Sequence, residues 1–518
     1  MFKRSQLRAT VLGAVLAATL LYGCRSASEN PSESRMAGGR EPSGAVGSTP
    51  TRAQAADGRY ISWREYIIDD AATGGVAIAG SDGLVMADLD LDGHLDIVSV
   101  HESDTTYDGV ADGHIRLAFG SADPDQWELA TLAEGAEAGA AEDAAIGDMN
   151  GDGYPDIVAA CELAHLIYFQ NPGKKARTAR WERVIPPVTS DRGSYIRVFL
   201  ADFNKDGRFE VVAPNKGSQS GPADSTERNA ISWFAVPADP LDGKAWVEHE
   251  LTRVIVPINS QPVDLDGDGD LDILGGSRAE RRIFWFENTS GGSENTSGPE
   301  ISFTEHAIEI AGLPAQAEQR PEGSTLGDRP GVTGFNMEFL DLSGDGRLDV
   351  VLQEDRSNLV WLEQPAKPSS PWQLHAIGTT PPDSMTGYAV VDINGDGHPD
   401  IIAGGYSSGS RSEDTDDVTV NDRLGRMAWF EHPGEALGKV LRPWIRHDIS
   451  RRKRGMFDKF IPQDMDGDGD IDFVATRGNS VPYDGVFWLE QVRTNEPVAS
   501  FERARENDSP EMPLSPGG

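Results

Sequence analysis

The chain alternates short apolar runs with turns that contain glycine and proline, and it shows no sustained 3.6-residue periodicity. An apolar stretch precedes an aspartate-rich segment, which is followed by an apolar triplet, as at 96–98, and then by a run with an aromatic residue, as at 361–363. A further run opens with an aromatic residue, as at 372–375. Short runs bounded by Gly and Pro are typical of strands rather than helices. The pattern predicts an all-β fold in which four strands, called A, B, C and D, recur along the chain.

The aspartate-rich segment is a nine-residue loop between strands A and B, and it occurs seven times. Successive starts are 60, 54, 62, 77, 51 and 72 residues apart, and they stand at Asp88, Asp148, Asp202, Asp264, Asp341, Asp392 and Asp464. These spacings are near the length of a four-stranded propeller blade with variable loops. The repeat therefore predicts a seven-bladed β-propeller over residues 60–491.

Closure of the predicted ring depends on the two ends of the repeat. The last copy has strands A to C, ending near Gln491, whereas an unmatched strand D, from Trp63 to Ile68, precedes the first loop. We expect this N-terminal strand to complete the seventh blade, because closure removes two open sheet edges. A competing strand runs from Ala499 to Arg505. Otherwise residues 492–518 are expected to be a disordered tail.

Tryptophan is confined to two positions of the repeat, which favours a structural role. Its residues fall on strand C or at the start of strand D, where the rings are expected to pack between blades. Four histidines stand three residues after a strand D aromatic and are expected to be equally ordinary, namely His249, His306, His375 and His447.

The seven loops share oxygen-bearing side chains at positions 1, 3, 5 and 9 and glycine at position 6. A hard cation with six to eight oxygen ligands requires such a set, and position 7 varies freely, as expected if it supplies only a carbonyl. The predicted ligands are Asp88, Asp90, Asp92 and Asp96; Asp148, Asn150, Asp152 and Asp156; Asp202, Asn204, Asp206 and Glu210; Asp264, Asp266, Asp268 and Asp272; Asp341, Ser343, Asp345 and Asp349; Asp392, Asn394, Asp396 and Asp400; and Asp464, Asp466, Asp468 and Asp472.

An EF-hand is excluded as an explanation of the loops, because it requires glutamate at position 12 and flanking helices. Position 12 is never glutamate here, and the flanks are predicted strands. Solvated turns without metal are the remaining alternative. We expect up to seven Ca²⁺ ions with a structural role.

Charge and the N-terminus bear on partners and location. The net charge of -38 argues against nucleic acid and anionic membrane surfaces as partners.

Basic residues followed by an apolar run at 9–22 predict a secretory signal over 1–23 that is too short to span a bilayer. It ends in a sequence similar to the lipobox of bacterial lipoproteins, which implies lipidation of Cys24, a flexible tether over 24–59, and export to the cell envelope or surface. Because Arg25 is not an aspartate, the resemblance favours the outer membrane.

The repeated loops within residues 60–491 resemble those of the FG-GAP/VCBS repeat family of calcium-loop β-propellers. Membership implies the propeller fold and structural calcium, but it implies no single activity, because such scaffolds host adhesion and catalysis. The Trp-x-x-His-x-Ile strands and Trp-Phe-Glu-x-Pro turns are also similar to the propeller part of aldos-2-ulose dehydratases, over part of the chain.

Ligand binding is predicted on the face opposite the aspartate loops. We call the loop side the bottom face and the opposite side the top face, where long insertions occur and binding residues usually gather. Positions that break the repeat there are the candidate ligand or catalytic residues His101, Arg278, Tyr406 and Arg477. Further polar residues expected around the top entrance of the channel are Glu102, Glu162, Arg197, Asn215, Asn336, Glu354, Asp355, Tyr388 and Lys459.

Two functions are compatible with this sequence. The favoured one is a calcium-binding lipoprotein at the cell surface that binds a glycan or protein through its top face. The alternative is a carbohydrate lyase or dehydratase acting on uronic acids or oxidised sugars at the same face. The non-catalytic module is favoured because no additional catalytic domain or catalytic motif is evident.

Overall fold

The computed structural model describes residues 44–103, 109–163, 165–218, 226–290, 300–313, 331–434 and 443–517. The predicted signal peptide, Cys24 and the first part of the predicted tether lie outside the described residues. Within the described residues, 28 strands form seven four-stranded sheets in which neighbouring strands are antiparallel. Each sheet is one blade, so the predicted all-β, seven-bladed propeller is confirmed.

The first four blades follow one another along the chain. Blade 1 comprises β2 (Ser81–Ala87), β3 (Asp96–His101), β4 (His114–Phe119) and β5 (Glu128–Glu134). Blade 2 comprises β6 (Ala141–Gly147), β7 (Asp156–Cys161), β8 (His165–Gln170) and β9 (Glu182–Val184). Blade 3 comprises β10 (Phe199–Ala201), β11 (Glu210–Pro214), β12 (Arg228–Ala235) and β13 (Val247–Ile255). Blade 4 comprises β14 (Pro257–Val263), β15 (Asp272–Ser277), β16 (Arg282–Asn288) and β17 (Phe303–Ala307).

The last three blades contain the remaining strands. Blade 5 comprises β18 (Glu338–Leu340), β19 (Asp349–Gln353), β20 (Asn358–Glu363) and β21 (Gln373–Thr379). Blade 6 comprises β22 (Tyr388–Val391), β23 (Asp400–Gly404), β24 (Gly425–Glu431) and β25 (Ile445–Arg452). Blade 7 comprises β26 (Phe460–Gln463), β27 (Asp472–Arg477), β28 (Gly485–Thr494) and β1 (Tyr60–Asp70).

Helical structure in the described residues is limited to 3-10 turns of three or four residues. They span Val46–Ser48, Gly135–Ala138, Gly173–Lys175 and Gly243–Ala245. None of the described helical segments has the length and hydrophobicity needed to cross a bilayer.

The outer edge of blade 7 is formed by the N-terminal strand. In the antiparallel register of β1 and β28, Trp63 lies opposite Gln491 and Tyr66 opposite Trp488. The competing segment near Ala499 does not supply this strand. It lies against the outside of β1, where the Glu65 N–H donates to the Glu502 carbonyl at 3.0 Å.

The core is divided into apolar layers between neighbouring blades. Five tryptophans lie on the third strand of their blades, as predicted, and four of these rings pack against the histidine directly opposite on the fourth strand. The pairs are Trp233 with His249, Trp285 with His306, Trp361 with His375, and Trp429 with His447. In blade 7 the pair is Trp488 with Tyr66. The predicted structural role of these rings and histidines is thus borne out by their packing.

The assignment of residues 492–518 as a disordered tail is wrong. Strand β28 continues to Thr494, and the segment 495–517, which we call the C-terminal strap, packs on blades 6 and 7. Phe501 is 5% exposed and joins the apolar layer around Trp63. Asp508 is buried against two arginines. The polar composition of the strap suggested disorder, because it does not reveal the few specific contacts that hold the strap in place.

The end of the predicted tether over 24–59 is also ordered. Residues 44–59 contain a 3-10 turn, and Ala53 and Ala55 are buried in the same apolar layer as Trp63. The Thr51 N–H donates to the Val498 carbonyl at 2.8 Å, so this segment and the strap hold each other in place.

Candidate functional site

The first aspartate of each aspartate loop folds the loop by accepting backbone hydrogen bonds. Asp88 Oδ1 accepts from the Asp92 N–H at 3.0 Å, and its Oδ2 accepts from the Gly93 N–H at 2.9 Å. Gly93 has a φ of +95°, a left-handed conformation that favours glycine. The glycine at position 6 of the other six loops has φ between +84° and +92°. The predicted need for glycine at this position is therefore a backbone requirement.

The ninth residue fastens the loop to the rest of its blade. Asp96 Oδ2 accepts from the Leu89 N–H at 2.8 Å, and its Oδ1 accepts from the Gly120 N–H, just after β4, at 2.9 Å. Asp349 makes the same two bonds in blade 5, to Leu342 and Gln364. These side chains are inaccessible to solvent, and burial raises the pKa of Asp96 and Asp349 to about 6. A buried carboxylate with a raised pKa is stabilised in its charged form by a nearby cation.

Three loops bring acidic oxygens together closely enough to share an ion. One oxygen from each member lies within 4.8 Å of the others in the sets Asp88, Asp90 and Asp96; Asp264, Asp266 and Asp268; and Asp464, Asp466 and Asp472. Position 3 in the other four loops is neutral, being Asn150, Asn204, Ser343 or Asn394. In the first loop, Asp90 Oδ1 is buried and has no hydrogen-bond partner among the described residues. An oxygen-only set with an unsatisfied oxygen fits a hard cation such as Ca²⁺.

Basic side chains contact several loops and distinguish one loop from another. Arg177 Nε lies 2.5 Å from Asp90 Oδ2, and its Nη2 lies 2.6 Å from Asp92 Oδ2. Arg347 pairs with Asp345 inside the fifth loop. Because a guanidinium offsets part of the charge that would attract a metal, the seven loops are not electrostatically equivalent.

Amide side chains connect neighbouring blades beneath the loops, a feature that sequence reasoning missed. An Asn or Gln at or near the end of the third strand donates from its side chain to the carbonyl at loop position 2 of the preceding blade. The bonds are Asn171 to Leu89 at 2.8 Å, Asn288 to Phe203 at 2.9 Å, Gln364 to Leu265 at 2.7 Å, and Gln491 to Ile393 at 3.0 Å. The recurrence of Asn or Gln at this position of the repeat is the sequence signal that could have predicted these bonds between blades. Each bond makes the conformation of one loop depend on its neighbour.

A cavity of about 660 Å³ opens on the top face at the mouth of the channel. We call it the channel-mouth cavity. Eleven of its lining residues come from two equivalent positions of the blades, one six residues before the first loop aspartate and one fourteen residues after it. The first set includes Asp82, Glu142, Ile196, Phe335, Thr386 and Asp458, and the second includes Glu162, Lys216, Arg278, Asp355 and Tyr406.

Charge is unevenly distributed around the channel-mouth cavity. Asp82, Glu142 and Asp458, from blades 1, 2 and 7, form an acidic wall. Burial raises the pKa of all three carboxyl groups. The lining also contains a group of cationic side chains, which we call the basic wall, namely Lys216, Arg278, Arg281, Arg356 and Arg423.

The basic wall is combined with aromatic surface. The Arg278 guanidinium lies 5.3 Å from the centre of the Phe335 ring, and Arg197 lies 4.8 Å from the same ring. Burial, followed by the neighbouring Arg356, lowers the pKa of Arg423. Burial also lowers the pKa of Lys216 to about 8. Lys216 already pairs with Glu162, whereas the neighbouring guanidinium groups of Arg356 and Arg423 would be stabilised by an anion.

The four candidate ligand residues divide into two groups. Arg278 and Tyr406 line the channel-mouth cavity, as do Glu162, Glu354 and Asp355 from the wider predicted set. The prediction that His101 is an accessible ligand residue is wrong, because the side chain is fully buried. Its two ring nitrogens lie 2.7 Å from Ser81 Oγ and 3.0 Å from Ser99 Oγ. Burial lowers its pKa well below the usual range.

Arg477 is likewise not an accessible ligand residue. It is 2% exposed, both of its terminal nitrogens pair with Asp508, and its Nε donates to Ser480 Oγ at 3.1 Å. The partner comes from the C-terminal strap, which the sequence had suggested was disordered. Arg477 therefore serves to attach the strap.

Comparison with known proteins identifies the repeats. The family model described as FG-GAP-like repeat matches residues 88–159, 148–213 and 341–403. Two crystal structures of BBS1N in complex with ARL6DN are similar, one soaked with lead and one with mercury. They have TM-scores of 0.43 and 0.41 at 11% and 10% sequence identity, and cover 84% and 83% of this chain and 98% and 96% of theirs. None of the curated proteins matches the chain in sequence.

Proposed function

The chain belongs to the FG-GAP-repeat β-propellers, a scaffold suited to binding, and on that premise we propose that it binds acidic carbohydrate in its channel-mouth cavity. The observation that carries the proposal is the basic wall of five cationic side chains, one of which, Arg278, lies over the Phe335 ring. Arginine binds carboxylates through paired hydrogen bonds, and an aromatic face suits the apolar side of a sugar ring.

The dimensions of the cavity agree with this ligand class. Its volume of about 660 Å³ lies inside the range of roughly 300–1,000 Å³ found for small-ligand sites. Tyr406 adds a hydroxyl group, which lies 3.2 Å from Arg411 Nη2. Sugar hydroxyls require such polar groups, which both donate and accept hydrogen bonds.

The same proposal includes calcium and a location. The aspartate loops bind Ca²⁺ through positions 1, 3, 5 and 9 and stiffen the bottom of each blade, and this role is structural. Lipidation of Cys24 holds the propeller at the cell envelope, where the top face meets extracellular glycans. A protein with an acidic segment is the second kind of ligand that the basic wall of the channel-mouth cavity could bind.

Titration calorimetry with oligouronates and matched neutral oligosaccharides tests the proposal. We expect the acidic series alone to bind. Arg278→Ala and Arg423→Ala should each weaken binding by about tenfold or more, since a hydrogen bond to a charged group contributes about 1.5–3 kcal/mol. Arg253→Ala is the control, because Arg253 is exposed on β13 and pairs with Glu250.

Two outcomes would contradict the proposed function. If oligouronates bind the double variant Arg278→Ala/Arg423→Ala as tightly as they bind the wild type, the basic wall is not the binding site. If the wild type instead cleaves oligouronates, seen as ultraviolet absorbance of an unsaturated product, the chain is a lyase acting on this ligand class.

A further inference from the structure

We propose that Asp82 and Glu142 of the acidic wall, together with the adjacent Glu102, hold a divalent cation at a site separate from the aspartate loops. One carboxylate oxygen from each residue lies within 4.8 Å of the others. Asp82 and Glu142 are equivalent residues of adjacent blades, each six positions before a loop, whereas Glu102 directly follows β3. The three ligands therefore come from three segments of blades 1 and 2.

Close packing of the innermost strands brings these carboxylates together. Gly83 follows Asp82 on β2, and a Cβ atom at Gly83 would lie 2.6 Å from the Glu142 carbonyl oxygen and 2.9 Å from the Asp143 Cα. Both neighbours are backbone atoms, so they cannot move aside easily. Glycine at this position thus permits the approach of β2 to β6 that places Asp82 beside Glu142.

Unsatisfied oxygens independently indicate that a ligand is bound there. Asp82 is 7% exposed, and its Oδ2 has no hydrogen-bond partner among the described residues. Asp458, outside the proposed ligand trio, is 8% exposed and lines the same cavity, and its Oδ1 also lacks a partner among those residues. A buried carboxylate oxygen without a donor is costly, and a cation removes that cost.

Basic groups lie beside the acidic wall and pair with neighbouring carboxylates. Lys216 pairs with Glu162, and Arg411 Nη1 lies 3.8 Å from Glu102 Oε2. Among the described residues, neither of these cations forms a hydrogen bond with Asp82 Oδ2.

The donor atoms define the class of ion. The three ligands are carboxylates, which suit Ca²⁺, Mg²⁺ or Mn²⁺ better than the softer metals that prefer sulfur or imidazole. The basic wall lines the same cavity, so an acidic sugar could contact both the ion and the wall. That last point rests on the proposed function, whereas the cation site does not.

Metal counting without any carbohydrate tests the site. The full chain is dialysed against Mn²⁺, and bound manganese per chain is measured by mass spectrometry for the wild type and for Asp82→Asn/Glu142→Gln. We expect the variant to bind one ion fewer, because the aspartate loops are untouched. The matched control is Asp123→Asn/Glu134→Gln, which neutralises two exposed carboxylates of blade 1. It should bind as many ions as the wild type.

Equal manganese counts in the wild type and the folded cavity variant would overturn the proposal. If the cavity variant fails to fold, anomalous diffraction from wild-type crystals grown with Mn²⁺ decides instead. A peak between Asp82, Glu102 and Glu142 supports the site, and peaks confined to the aspartate loops overturn it. Because no sugar is present, a negative result here is distinct from failure to bind oligouronates.

Discussion

Removing the Asp508 carboxylate should unfasten the C-terminal strap and destabilise the propeller. Asp508 Oδ2 accepts from Arg452 Nη1 at 2.9 Å, and both of its oxygens pair with Arg477. The side chains of all three residues are at most 2% exposed. Arg452 also contacts Glu65 at 3.1 Å, so the cluster joins the strap to β25, β27 and β1.

The size of the effect follows from what Asp508→Ala leaves behind. Arg452 keeps Glu65, but the Arg477 guanidinium loses its carboxylate partner and retains a hydrogen bond to Ser480. Breaking a buried ion pair by removing one partner costs about 3–5 kcal/mol. A destabilisation of 1 kcal/mol lowers the melting temperature by about 2–4 °C in domains of 150–250 residues, and by less in longer chains. We expect Asp508→Ala to melt lower by roughly 5 °C.

The pH dependence provides a second, independent readout. Burial opposes ionisation of Asp508, but Arg452 and Arg477 outweigh it and hold the pKa of this carboxyl well below its usual range. A lowered pKa means that the stabilisation is complete above the unfolded-state value of about 3.9 and is lost as the pH falls below it. The difference in melting temperature between the wild type and Asp508→Ala should therefore be constant from pH 6 to 8 and should become smaller in acid.

Thermal unfolding followed by circular dichroism measures both effects. Glu502→Ala is the control on the same strap, because the Glu502 side chain is 72% exposed and its pair with Arg64, at 3.4 Å, contributes little. If Asp508→Ala melts with the wild type at neutral pH, or if the difference persists unchanged in strong acid, the assigned role of this cluster is refuted.

Three further predictions concern the loops and the anchor. Chelation of calcium should lower the melting temperature, because metal at 100 times its Kd adds about 2.7 kcal/mol per site, and an unchanged melting temperature would exclude metal in the loops. Gln364→Ala should cost about 1–3 kcal/mol in urea unfolding, because the buried Leu265 carbonyl loses its donor, whereas the exposed Gln373→Ala should cost almost nothing. Cys24→Ser should shift the protein from the membrane fraction to the soluble fraction, and unchanged membrane retention would contradict lipidation.

The repeat alone determined the propeller. Seven loops of constant length, with glycine at position 6, identify seven A-to-B hairpins, and the turn chemistry of each is local. The roles of the tryptophans and of their histidine partners follow from the same register, because directly opposite residues on paired strands must meet. Because the same turn chemistry and strand register recur in all seven blades, the sequence repeat is sufficient to predict the propeller fold.

Only the tertiary structure decided which non-repeated residues are accessible. His101 and Tyr406 both break the repeat near the ends of their second strands, yet His101 is buried between two serines and Tyr406 lines the cavity. Arg477 is covered because a polar strap returns from the C-terminus with Asp508. Asp82 acquires its acidic neighbours only where β2 approaches β6. These contacts join residues distant in sequence, and their stability depends on burial and charge that emerge only after the ring has closed.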